Sequence, residues 1–106
     1  MDIQIEDRPP YKIVRLSGDV DLHSSPQARS AILDCLKLNC PLLVELSAVT
    51  YMDSSGVASL VEGFQTARKQ GLGFGLLAVP QPAMNVLKLA RLDTVFPIHA
   101  SFEALV

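Results

Sequence analysis

The residues best equipped for chemistry in this chain stand together at Asp53-Ser54-Ser55-Gly56, a carboxylate beside two hydroxyls. An apolar run, Val49-Thr50-Tyr51-Met52, stops at this tetrad and an amphipathic segment starts directly after it. That reads as a strand feeding the N-terminus of a helix. Asp and Ser are both good N-caps, so on composition alone the tetrad could be a capping turn. One helix start needs one cap, however, and three capping residues in succession leave at least one hydroxyl free. A free hydroxyl at the positive end of a helix dipole suits a phosphate, which adds about −1.5 to −2 charge and three acceptor oxygens. Gly56 lets backbone approach closely. The neighbouring sequence supplies no base for a nucleophile, so a regulated seryl switch fits better than a catalytic serine.

Other constellations carry less. Asp19, Asp21 and His23 alternate, so on an extended chain they would share one face and could meet a metal. Their place between a strand and a helix makes capping and turn formation the expected roles, and no metal site is expected. Ser54 with His23 or His99 and an Asp would spell a hydrolase, but the chain has no G-x-S-x-G elbow. We expect no enzyme. Gly71-Leu72-Gly73-Phe74-Gly75 leads into a strand rather than a helix, so it reads as a turn and not a phosphate loop; no cofactor is implied. Cys35 and Cys40 lack the spacing of zinc or redox pairs.

These residues must be held by a fold. The 106 residues fit one domain spanning 1–106, and 49% hydrophobic against 19% charged residues fits a packed core that is mainly aliphatic. A net charge of −2 with scattered basic residues gives no footprint for direct nucleic-acid binding or for an anionic membrane surface. The N-terminus has no basic-then-apolar leader and no apolar run reaches spanning length, so a cytoplasmic location without membrane insertion is expected.

Ile3 and Ile5, then Ile13, Val14 and Leu16 up to Ser17-Gly18, predict two strands around the Arg8-Pro9-Pro10 turn. Ala28, Ala31, Ile32, Cys35 and Leu36 predict a helix with Ser25 as N-cap and Pro26 at its first position. Leu42–Leu46 is apolar on both faces and predicts the central strand. Val57, Leu60, Val61 and Phe64 mark a second helix ending at Gly71. Phe74–Val79 predicts another strand, Ala83, Val86, Leu87 and Ala90 a third helix, Val95–Ile98 an edge strand, and Ser101–Leu105 a short terminal helix. Alternating elements imply an α/β layered fold.

Leu16-Ser17-Gly18-Asp19-Val20-Asp21, Val49–Gly56 and Leu89-Ala90-Arg91-Leu92-Asp93-Thr94-Val95-Phe96 resemble successive blocks of a STAS domain. The resemblance spans nearly the whole chain. It implies a mixed β-sheet with helices packed mainly on one face and an exposed N-terminal strand. Among stand-alone members, the chain is similar to bacterial anti-sigma factor antagonists, in which the serine after the motif Asp is phosphorylated; that serine corresponds to Ser54. The resemblance implies partner switching. Unphosphorylated protein would bind an anti-sigma factor that is itself often the serine kinase, phosphorylation would end the complex, and a serine phosphatase would restore it.

The same resemblance implies that Asp53, Ser55 and Gly56 support the phosphosite. It places the partner surface at Asp21, His23 and Ser24 and on the next helix at Val57, Ala58 and Val61. The antagonist pattern usually continues past the motif glycine as Leu-Gly, where this chain has Val57-Ala58. Its later Thr-Gly-Leu is Ala90-Arg91-Leu92 here. Related small STAS proteins instead attach to the ATPase of a lipid-transport ABC transporter without phosphorylation, which is the alternative reading.

Overall fold

Apolar residues repeating with period two build the sheet that positions these loops. A computed structural model describes residues 1–105, in which the strands are β1 (Asp2–Arg8), β2 (Tyr11–Val20), β3 (Leu42–Met52), β4 (Phe74–Leu77) and β5 (Ile98–His99). They lie side by side in chain order. β1 runs antiparallel to β2, and the β2-β3, β3-β4 and β4-β5 pairs are parallel, giving the mixed sheet with β3 at its centre.

The helices are α1 (Ser25–Leu36), α2 (Ser54–Lys69), α3 (Gln81–Leu89) and the short α4 (Phe102–Leu105). Val14, Leu42, Val44, Leu46 and Leu76 point to one face of the sheet, where they are buried with Ile32 and Leu36 of α1, Leu60 of α2 and Leu87 of α3. Their alternates Ile13, Leu43 and Leu77 emerge on the other face, where Tyr11, Phe102 and Leu105 cover them. The helices are therefore mainly on one face, as the resemblance implied. Leu46 is wholly buried, and truncating such a leucine to alanine costs about 2–5 kcal/mol.

The central strands run further than their apolar cores suggest. β2 continues beyond Ser17-Gly18 to Val20, and β3 continues beyond Leu46 to Met52. Gly18, at φ 83°, takes up a register shift between the two strands and does not end β2. This shift and one before Ser17 each add a residue on β3, which brings Met52 back to the helix-covered face beside Val20, where both are buried. The end of β3 is thereby delivered to Asp53.

Element ends also move. Ser24, not Ser25, occupies the N-cap position of α1, and its side chain makes no capping bond. β4 stops at Leu77 because Ala78 turns to φ 51°. The edge strand is Ile98–His99 rather than Val95–Ile98, since the Val95 and Phe96 amides bond back to the Leu92 carbonyl in a turn. Pro97 lies just outside it and offers only its carbonyl, to Leu76 N at 2.8 Å. Ala90 lies past the end of α3 and is exposed. Gly71 does close α2, at φ 70°, with Leu72 N bonded to Ala67 O at 2.8 Å.

Candidate functional site

Parallel strands β2 and β3 end together, with Val20 paired to Met52, so the loops following their C-terminal ends, Asp21–Ser24 and Asp53, are neighbours. The Asp53 amide donates to the Val20 carbonyl at 3.3 Å, tying one loop to the other. Asp21, Leu22, His23 and Asp53 line a common cleft. Of the predicted site residues, Asp21, His23 and Asp53 are thus brought together, and Ser24 stands within the same loop.

Asp53 is the N-cap of α2. Its Oδ1 accepts the amides of Ser55 at 2.9 Å and Gly56 at 3.4 Å, and its carbonyl accepts Val57 N at 3.2 Å. Ser54 is the first helical residue and is exposed; among the described residues no side-chain hydrogen bond engages its hydroxyl. The cap is supplied by the carboxylate, and the hydroxyl beside it is left to solvent. Gly56 is buried because the start of α2 presses on the strand ends. A Cβ there would stand 2.9 Å from both Met52 Cγ and the Val20 carbonyl oxygen. Only glycine permits that approach, and it fixes where the helix N-terminus points.

The Asp21 loop is built by one carboxylate. Asp21 Oδ1 accepts from His23 N and Ser24 N, both at 3.0 Å, and from Ser24 Oγ at 3.1 Å. The Ser24 amide, then the Ser24 hydroxyl, hold the Asp21 carboxyl below its ordinary range. Ser24 Oγ spans the loop, its one proton shared between Asp21 Oδ1 and Asp19 O, the latter at 2.8 Å, and its oxygen accepting the Asp21 amide at 3.0 Å. Asp19 turns away to accept from Thr50 Oγ1 at 2.8 Å. The alternating acids are engaged in separate local networks, and no group of three metal-ligating side chains occurs among the described residues.

A shallow groove runs from this loop between α1 and α2, walled by Leu22, Pro26, Arg29, Ala58 and Glu62. Arg29 and Glu62 bridge it through two bonds of 2.7 Å. Beneath it, Ser59 Oγ donates to Ser25 O at 3.3 Å and Ser55 O at 3.2 Å, stitching the helix starts together. Leu22 stands 77% exposed beside the groove. Sequence reasoning passed over Leu22 and the bridge, although an apolar residue inside a polar capping loop is a legible signal.

The predicted partner face needs correction on α2. Ala58 is exposed, but Val57 is only 6% exposed and belongs to the core. Val61 is half-buried against that core. With Asp53 as N-cap, the helical rotation carries Val57 inward and Ala58 outward. His99 lies on β5, at the far side of β4 from β3.

Fold and site define an α/β domain that presents its polar chemistry on two loops at the C-terminal ends of neighbouring strands of a mixed sheet. The chain belongs to the STAS family: the STAS domain model matches residues 2–105. It is 27% identical over 90 residues to the anti-sigma-B factor antagonist of Bacillus subtilis, covering 85% of this chain and 83% of that protein. It is 26% identical over 101 residues to the anti-sigma F factor antagonist of Paenibacillus polymyxa, covering 93% of this chain and 86% of the relative. The crystal structure of an anti-sigma factor antagonist from Mycobacterium paratuberculosis superposes with a TM-score of 0.87 at 29% identity, covering 98% of this chain and 90% of that one. No helix among the described residues is long and apolar enough to cross a membrane.

Proposed function

We infer that this protein is an anti-sigma factor antagonist that works by partner switching, with Ser54 as the phosphoacceptor. The observation that carries the reading is the division of labour at the start of α2. Asp53 caps the helix, and the exposed Ser54 hydroxyl can be modified without removing a structural bond. The relatives' names support an anti-sigma factor as the partner. The groove between α1 and α2, lined by Leu22, Ala58 and the Ser55 that follows Ser54, is the surface offered to it.

Phosphate on Ser54 would sit at the α2 N-terminus, where the helix dipole favours an anion although Asp53 already takes the Ser55, Gly56 and Val57 amides. The fold therefore tolerates the modification. The partner meets about −1.5 to −2 units of new charge at the edge of its binding surface and dissociates. The anti-sigma factor would act as the kinase, and a serine phosphatase would reset the switch. In this reading the chain is substrate and ligand and performs no catalysis itself.

The test is intact mass with site mapping on protein from its native host, coupled to affinity measurements of Ser54→Ala and Ser54→Asp with the cognate anti-sigma factor. Phosphate on Ser54 and tight binding by Ser54→Ala alone are expected. Equal affinities for the two variants would sink the switch. An unphosphorylated protein that co-purifies with a transporter ATPase would replace it.

A further inference from the structure

β1 forms one edge of the sheet, and among the described residues no strand pairs with its outer side. It is 7 residues long, whereas β5 at the other edge has 2. An open edge of that length offers a row of backbone donors and acceptors to another strand. The side chains decide which strand it can take.

Pairing with β2 fixes the two faces of β1. Asp2, Gln4, Glu6 and Arg8 share one face, and Ile3, Ile5 and Asp7 the other. Two copies related by a two-fold axis perpendicular to the sheet meet antiparallel, so even positions oppose even and odd oppose odd. Among the registers that overlap most of the strand, centring on Gln4 sets Asp2 against Glu6, and centring on Glu6 sets that carboxylate against itself. Like charges directly opposite are destabilising. Centring on Ile5 has no such clash and uses the whole strand. Asp2 then faces Arg8, Gln4 faces Glu6, and Ile5, which is 53% exposed, faces its own copy.

We propose that two copies of this chain associate edge to edge through antiparallel β1–β1 pairing centred on Ile5, joining their sheets into one. The contact is isologous and closes on itself, so it yields a dimer and not a filament. Glu6 is already held by Arg15 and Asp7 by Lys12, which keeps these two carboxylates from repelling the second copy, while Arg8, bonded to Glu6 in the single chain, is shared with Asp2 of the second copy. The helix layers of both copies fall on the same side of the joined sheet. The proposal is independent of phosphorylation at Ser54.

Sedimentation equilibrium of the full chain, over a series reaching about 1 mM to capture weak association, tests it. A reversible dimer is expected. Arg8→Glu should weaken it about tenfold or more, Ile5→Lys should abolish it, and the charge swap Asp2→Arg with Arg8→Glu should restore it. Circular dichroism of each variant separates loss of association from loss of fold. Ile5→Cys, which changes no charge, should form an intermolecular disulfide on oxidation once the part-exposed Cys40 is replaced by Ser, because directly opposed Cα atoms of an antiparallel pair lie about 4.5–5.5 Å apart, a span a disulfide bridges. A monomer throughout, a dimer indifferent to Arg8→Glu, a swap that fails to rescue, or a folded Ile5→Cys protein that does not crosslink overturns the proposal.

Discussion

Asp53 Oδ1 accepts the Ser55 amide at 2.9 Å, so the carboxylate of the motif is committed to the helix while the serine between these residues stays free. Asp53→Ala should therefore cost about 1 kcal/mol of stability, the usual loss for a removed cap. Ser54→Ala should cost close to nothing, and Ser54→Asp should hold or slightly raise stability through the helix dipole while weakening the partner complex. Urea unfolding of the three variants checks this order. A Ser54→Ala protein less stable than Asp53→Ala would mean that the serine, not the carboxylate, is the cap.

Gly56→Ala should destabilise the protein. Alanine gains about 1 kcal/mol over glycine in a helix, but the added Cβ meets the Val20 carbonyl oxygen at 2.9 Å, and overpacking of this kind costs about 1–3 kcal/mol. Backbone cannot step aside as a side chain tip does. A melting temperature equal to the wild type's would show that α2 can lift away from β2.

Val57 and Ala58 are adjacent but should respond oppositely. Val57→Asp puts a carboxylate into the core, where an unpaired charge is not tolerated, and should unfold the chain. Ala58→Glu lies on the exposed groove wall and should leave stability within about 0.5 kcal/mol while weakening anti-sigma factor binding. Thermal melts alongside a binding titration separate the two. A folded Val57→Asp protein would contradict the packing of α2.

Much of this site was legible because capping chemistry is local. The order Asp, Ser, Ser, Gly after an apolar run specifies a helix start and leaves a surplus hydroxyl, whatever the rest of the chain does. The apolar stripe Val57, Leu60, Val61 and Phe64 put Val57 on the core side of that helix while the resemblance put it on the partner face, and the packing of α2 decides for the stripe. The length of β2 was hidden for a different reason. Gly18 looks like a turn residue, and only the neighbouring β3 reveals it as the point where two strands change register. Gly63 escaped notice too, although a Cβ there would lie 2.6 Å from Ile32 Cγ2 and so force α1 and α2 apart.

Asp21 should leave a signature in the acid limb of stability. Its carboxyl titrates below the ordinary aspartate value of about 3.9 because the Ser24 amide and hydroxyl bond the charged form. A depressed folded pKa contributes stability that is fully present above the unfolded value and is lost as pH falls through the folded one. The stability gap between wild type and Asp21→Asn should thus be small near pH 2, widen toward pH 4 and stay level above it. Urea midpoints across that range measure it. A gap that shrinks as pH rises would remove the carboxylate from its role in the loop.

Arg91 offers a stabilising change away from the switch. It ends α3 in the left-handed region, at φ 59°, with Leu92 N bonded to Leu87 O at 2.8 Å. Gly71 closes α2 by the same bond at φ 70°, with the residue type that geometry favours. A side chain held there costs about 1–2 kcal/mol, part of which glycine gives back through the greater freedom of its unfolded chain. Arg91→Gly should raise the melting temperature by a few degrees. Anti-sigma factor binding should not change, because α3 starts at the strand ends that carry the site and runs away from them, leaving Arg91 at the opposite end. A lower melting temperature would show that the Arg91 side chain contributes more in contacts than its backbone loses in strain.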